Sequence, residues 1–206
     1  LLLLAMSATL DAGPVAALMD APIVTSDGRS YPVETRWLDS PLPAKARKLD
    51  ALVDLVARAE GETRETGGGL LVFLPGEGEI RRAASALETR LPGHCQIRPL
   101  FGALPFAEQR AAIAPVSEGR KVVLATSIAE TSLTIEDIRV VVDMGQARRA
   151  RFDPGSGMSR LVTEKVTKAE ATQRAGRAGR VAEGVAYRLW TKGEDGALKA
   201  FPPAEI

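Results

Sequence analysis

The chain has 206 residues, 45% hydrophobic and 26% charged, with a formal net charge of +1. That length suits one well-packed domain, and the balance is that of an ordinary globular protein, which excludes a disordered or fibrous chain. The single cysteine, Cys95, excludes an internal disulfide and suits a reducing, cytoplasmic setting, and the apolar run at 1–6 is too short to span a membrane.

Residues 1–6 read as a buried parallel strand entered partway, so the chain is expected to be a fragment. Asp11 is placed to cap a short helix containing Pro14 and Leu18. Alternation at Val33, Thr35 and Trp37 predicts a strand with one buried face. Pro43 is expected to open a helix running to about Glu60, with Leu49, Leu52, Val53 and Val56 at helical spacing. Residues 61–69 read as a surface loop. Strands then alternate with helices: strands at 70–74, 95–100, 121–125 and 138–144; helices at 77–91 and 105–113; and a helical turn at 128–133. Continuous apolar strands between amphipathic helices predict an α/β fold, a parallel sheet covered on both faces. The turn signal Asp153-Pro154-Gly155-Ser156-Gly157 sits inside a hairpin at 148–162. Thr167 and Glu170 then form a capping box for a helix carrying residues 173–180, with a last strand at 185–189.

The charge is unevenly spread. From Arg139 to Arg180 there are ten Lys or Arg and four acids, a local charge of +6, so the rest of the chain is net acidic. Arg174, Arg177 and Arg180 recur every three residues. On one helix they would share a side and offer rigid forks of donors to phosphate oxygens. Gly176 and Gly179 would leave that helix thin enough for close approach by a partner. After the strand at 121–125, Thr126, Ser127, Thr131 and Ser132 offer four hydroxyls where ligands of parallel sheets sit, and Asp137 follows. There is no Gly-x-x-x-x-Gly-Lys-Ser/Thr loop and no paired acids for magnesium, so chemistry on ATP must occur opposite another domain. His94 beside Cys95 has no third ligand at metal-site spacing, so no metal is expected.

These strings, in this order, resemble the core of the DEAH-box ATP-dependent RNA helicases of the bacterial HrpB type. Ser7-Ala8-Thr9 resembles the motif that closes the first RecA-like domain and couples hydrolysis to strand movement. Leu71-Val72-Phe73-Leu74-Pro75-Gly76 resembles the first motif of the second domain. Gly102-Ala103-Leu104-Pro105 resembles the segment approaching the RNA backbone. The string from Ala125 to Ile135 resembles the motif linking nucleotide cleft to RNA, and Gln173 to Arg180 the arginine-finger motif.

The resemblance implies a RecA-like fold with an inserted hairpin: residues 1–31 as the end of a first domain, 32–201 as the second, and 202–206 as the start of a linker onward. It implies Arg177 and Arg180 at the γ-phosphate, Gln173 placing the attacking water, and Arg174 bracing the interface or helix beside the nucleotide. It implies Thr126, Ser127, Thr131 and Gly102 near RNA phosphates, with Ser127 standing where many relatives carry asparagine. Glu130 and Asp137 would lie between the RNA path and the nucleotide edge. Ile113 would pack on the base where eukaryotic relatives have an aromatic residue, and Ser7 and Thr9 would serve coupling. Arg148, Arg149, Arg151 and Arg160 would give the hairpin a positive flank. ATP and Mg2+ would be held mainly by a first domain that this chain lacks, so the isolated chain is expected to be inactive. The expected partners are single-stranded RNA and the upstream domain, with no membrane. A DNA helicase and a non-catalytic RecA-like binding module are the competing expectations.

Overall fold

The computed structural model describes residues 3–6, 12–25, 30–130, 133, 135–153, 155 and 157–201. The strands are β1 Val33–Leu38, β2 Gly69–Phe73, β3 Cys95–Leu100, β4 Arg120–Ala125, β5 Ile138–Asp143, β6 Gln146–Asp153, β7 Met158–Lys165 and β8 Gly184–Thr191. Six of them form one parallel sheet in the order β1-β8-β5-β2-β4-β3, and β6 and β7 pair antiparallel as a separate hairpin. The RecA-like expectation is therefore met: a parallel sheet flanked by helices, with an extra hairpin.

The sequence explains the order. β2 and β4, and all of β5 except Arg139, are fully buried, which is why their residues run apolar without alternation. α2 Lys48–Glu62 and α3 Glu77–Arg90 cover one face, burying Leu52, Val56, Ile80 and Leu87 against Leu70, Val72, Val122 and Val140. The other face packs Leu71, Phe73, Val123 and Val141 against Ala112 of α4 Phe106–Ile113, Ala129, and Ala175 of α5 Lys168–Gly176. The small side chains on this second layer let it lie close to the sheet. Register aligns Phe73, Ala125 and Asp143 at the carboxyl edge, while Gly69 pairs with Ile138 at the amino edge.

β5 leaves the sheet for the hairpin through Gly145. Its φ is +74°, and a Cβ there would come within 2.8 Å of the Trp190 ring, so glycine is required twice over. Trp190 also joins Ala147, Val166 and Ala171 in a small cluster that seats the hairpin base.

Three boundaries differ from expectation. Residues 3–6 form no strand, and Leu3, Leu4 and Met6 are 72%, 81% and 85% exposed. No described strand runs beside them, so their backbone has no ladder to join. α2 begins at Lys48, because Ala46 donates to the Pro43 carbonyl (2.8 Å) and closes a separate turn first. It then continues through Gly61, held by the Arg58–Glu62 pair one turn apart at 2.8 Å. The hairpin spans 146–165, longer than the expected 148–162. α1 Ala12–Met19 forms as expected but buries no residue, and its proposed cap Asp11 lies outside the described residues. Among the described residues no helix is long and apolar enough to cross a membrane.

Candidate functional site

Thr167 and Glu170 make the expected capping box. Thr167 N donates to Glu170 Oε2 at 2.7 Å, and Glu170 N donates to Thr167 Oγ1 at 3.3 Å. The helix so started does not carry all three arginines. α5 ends at Gly176 and tightens into the 3₁₀ turn Arg177–Gly179, and the three arginines differ in burial: Arg174 and Arg177 are buried and Arg180 is exposed. The close approach at Gly179 is made by the chain itself: a Cβ there would meet the Tyr31 carbonyl oxygen at 2.4 Å, and nothing lies within 4 Å of the corresponding point at Gly176.

Arg174 is 1% exposed. Its Nε and Nη2 reach Glu130 Oε1 at 2.7 and 2.6 Å, and its Nη1 reaches Asp143 Oδ1 at 2.9 Å and the Gln146 carbonyl at 3.2 Å. The guanidinium also lies 4.9 Å from the Phe73 ring centroid. An arginine buried in this way braces β5, the hairpin base and the 126–130 turn together. Glu130, expected between the RNA path and the nucleotide edge, has its carboxylate paired with Arg174 inside the domain, and burial raises its pKa above the ordinary carboxylate value.

Arg177, expected at a γ-phosphate, is 4% exposed and donates to the carbonyls of Glu130 (2.8 Å from Nε) and Leu133 (2.9 Å from Nη1). Burial, aided by the neighbouring charge of Arg180, pulls its pKa down to about 10. Arg180 is exposed and makes no ion pair with a described residue, and Gln173 is half-buried on α5. Of the expected arginine set, only Arg180 presents its charge to solvent.

At the carboxyl edge the structure brings Gly102 and Thr126 together, because β3 and β4 are neighbours: Thr126 N donates to the Leu100 carbonyl at 3.3 Å. Ser127 and Gly102 are exposed and Thr126 is half-buried. Among the described residues the turn after β4 is a short 3₁₀ segment, Ser127–Ala129, and the later part of the expected 128–133 turn lies mostly outside them. Thr131, and the coupling residues Ser7 and Thr9, lie outside the described residues. Asp137 does not join Glu130. It sits just before β5, at the amino edge, a strand length of about 20 Å away. There it shares with Ile113 the ammonium of Lys121.

The hairpin's positive flank is largely neutralised. Arg148 pairs with Glu79 (3.2 Å), Arg149 with Glu170 (2.5 Å) and Glu164 (3.1 Å), and Arg151 with Glu164 (2.7 Å). The Arg149 side chain, expected on nucleic acid, is only 14% exposed and is engaged by Glu170 and Glu164. Arg151 and Arg149 hold Glu164 down to about 2. Arg160 is exposed and has no ion-pair partner among the described residues. Alternation within β6 and β7 also puts Phe152 and Leu161 on the outward hairpin face at 65% and 69% exposure, a signal the charge count passes over.

Folding supplies the third ligand that spacing did not: the ligand atoms of Glu60, His94 and Cys95 lie within 4.8 Å of one another. Arg64 already takes both Glu60 oxygens, at 3.0 and 2.7 Å, and Arg120 comes within 3.8 Å, so two guanidinium charges oppose a cation there.

The family model described as "Helicase conserved C-terminal domain" matches residues 47–182. The protein named ATP-dependent RNA helicase HrpB from Escherichia coli (strain K12) is 53% identical over 206 residues, covering 99% of this chain and 25% of its own length. The pre-mRNA-splicing factor ATP-dependent RNA helicase prp22 of Schizosaccharomyces pombe is 41% identical over 92% of this chain and 16% of its own length. A crystal structure of the Escherichia coli DEAH/RHA helicase HrpB superposes with a TM-score of 0.86 at 49% identity, over 96% of this chain and 25% of that one. The chain thus spans about a quarter or less of the length of these relatives, and the HrpB-type DEAH-box resemblance read from the motifs is borne out.

Proposed function

The chain belongs to the helicase conserved C-terminal domain family, and from that premise we propose that it is the second motor domain of an ATP-dependent RNA helicase of the DEAH-box, HrpB type. In this reading residues 32–201 are the motor unit, 1–31 close the first RecA-like domain, and 202–206 lead onward. The whole protein is a cytoplasmic NTP hydrolase. ATP and Mg2+ are gripped mainly by the upstream domain, where the metal neutralises phosphate charge.

The observation that carries the reading is the unequal fate of the three arginines. Arg174 and Arg177 are consumed in fixing the end of α5, and that fixed end holds Arg180 outward as an uncompensated charge. Arg180 is therefore the arginine we assign to the transferred phosphoryl group, with Gln173 near the attacking water. Preorganised charge of this kind acts without reorganisation when the two domains close. Gly102, Thr126 and Ser127 at the carboxyl edge, with Arg160 on the hairpin, form the track for a single strand held through its phosphates. Such contacts make binding salt-dependent and largely blind to sequence.

The test uses the complete protein, with RNA and a matched DNA strand in parallel. Arg180→Ala is expected to lower RNA-stimulated ATP turnover by about 10³-fold or more while leaving thermal stability unchanged. The chain by itself is expected to show no turnover. Steady-state hydrolysis by the isolated 206 residues, or full activity in Arg180→Ala, would sink the proposal, and stimulation by DNA in preference to RNA would move it to the other polymer.

A further inference from the structure

The start of a helix leaves backbone N–H groups with no partner inside the helix. At α5 they are met in two different ways. Glu170 N donates to the Thr167 hydroxyl, a neighbour in sequence. Lys168 N and Ala169 N donate instead to the carbonyls of Lys199 and Ala200, at 2.8 and 3.1 Å, in a segment that lies beyond β8. The first turn of α5 is therefore closed by backbone from the far end of the described chain.

That segment, residues 197–200, is rooted firmly. It follows α6 Lys192–Gly196, whose own capping box joins Thr191 N to Glu194 Oε2 at 2.9 Å and Glu194 N to Thr191 Oγ1 at 3.2 Å. Asp195 accepts from Trp190 Nε1 at 2.9 Å and pairs with Arg188. Ala197 N and Leu198 N then close the turn on the Glu194 and Asp195 carbonyls. Leu198 packs on the cluster of Ala147, Val166, Ala171 and Trp190 that seats the hairpin base. One apolar side chain and two carbonyls so fasten the two roots of the hairpin and the start of α5 from outside.

The hairpin those contacts hold has narrow roots. It leaves the sheet at Gly145 and returns at Val166, whose N–H donates to the Gly145 carbonyl at 3.1 Å. Side chains tie it to α3 through Arg148 and Glu79, and to α5 through Arg149 and Glu170. Glu170 serves twice, since the carboxylate that pairs with Arg149 also accepts from Thr167 N. Between the hairpin flank and the 197–200 segment lies an open space of about 390 Å³, bordered by Arg149, Arg151, Thr167 and Lys199. The flank can tilt into that space without displacing packed atoms.

We propose that residues 197–200 are a strap that latches the hairpin base to the start of α5, and that lifting the strap lets the hairpin tilt about Gly145 as one body. On the reading that 202–206 lead onward to further domains of a helicase, movement of those domains reaches the hairpin, and the strand beside it, through this strap.

The experiment uses the complete protein. Proline is accepted at the first position of a helix, where it lacks only an N–H. Lys168→Pro therefore keeps α5 while removing the bond to Lys199, and its ring pushes that carbonyl away. Lys168→Ala keeps the bond and is the control. Peptide-resolved hydrogen exchange in Lys168→Pro is expected to quicken about fivefold or more in β6, β7 and residues 167–171, the effect of one lost hydrogen bond, with β2 and β4 unchanged. Duplex unwound per ATP hydrolysed falls several-fold, while ATP turnover without RNA stays within about twofold. Lys168→Ala matches wild type in both measurements. If Lys168→Pro does not fold, Leu198→Ala is expected to give the same pattern and Leu198→Met to restore it. Unchanged exchange in the hairpin, or exchange that quickens equally in β2 and β4, overturns the latch. Faster hairpin exchange with unaltered unwinding per ATP leaves the strap a structural clasp and overturns its part in coupling. Absence of RNA-stimulated turnover in the wild type would sink the helicase reading, and the exchange pattern would still decide whether the strap holds the hairpin.

Discussion

The hairpin and the end of α5 hold the same kind of side chain in different surroundings. On the hairpin, Arg148 and Arg151 meet Glu79 and Glu164 where water still reaches both partners, with side chains 40% and 37% exposed. At α5, Arg174 and Arg177 are sealed against Glu130, Asp143 and backbone carbonyls. Water screens the first set, so its pairs form and part at little cost. The second set has no such alternative, and each donor is committed for as long as the domain is folded. Counting cations therefore does not identify the one that acts on a ligand. In the proposed reading the arginine left for a ligand is the one whose neighbours have already used up the nearby acceptors, Arg180.

The contrast can be broken most directly at Arg174. Arg174→Met leaves Glu130 and Asp143 facing each other without a cation, and unfolding in denaturant is expected to show a loss of about 3–5 kcal/mol. A loss below about 1 kcal/mol would mean that the buried network stabilises no more than a surface pair. Arg177→Ala strands the carbonyls of Glu130 and Leu133 and should cost about 1–3 kcal/mol in the same measurement. The smallest effect is on the hairpin. Glu164→Gln should lower global stability least of the three, while hydrogen exchange in β6 and β7 quickens.

Acid sharpens the same comparison. Glu164 has a folded pKa depressed to about 2, so its contribution is present above its ordinary value of 4.5 and is lost as pH falls through about 2. Glu130 is raised by burial, so its carboxylate protonates first as pH falls, above 4.5, and its protonated form is favoured by folding. Carboxyl NMR shifts followed from pH 7 downward should report Glu130 before Glu164. The reverse order would break the assignment of burial to α5 and exposure to the hairpin.

What the sequence made legible was whatever depends on near neighbours. The apolar runs of β2, β4 and β5 marked the middle of the sheet, because a strand covered on both faces has no polar side. The span Cys95–Leu100 and the Thr167/Glu170 cap were readable for the same reason, each being settled within a few residues. The destinations of long side chains were not. Arg174 meets Glu130 and Asp143 across 44 and 31 positions, and nothing in a three-residue repeat says which acids a fold will bring opposite it. Lys121 looked like the polar lip of an apolar strand, because the four oxygens around its ammonium come from two other segments. Residues 3–6 failed for the converse reason: an apolar run states a preference for burial and names no neighbour to bury against.

The strand order also has a consequence for biosynthesis. β8 inserts between β1 and β5, so among the described strands β1 gains its sheet neighbour from the one that follows all the others in sequence. Until Gly184–Thr191 clears the ribosome, β1 has no ladder to join, and β5 stands as an open margin of the half-built sheet. A nascent chain of this domain waits on its carboxyl-terminal strand before it can close, and a translational pause shortly before that strand would prolong its exposure to aggregation.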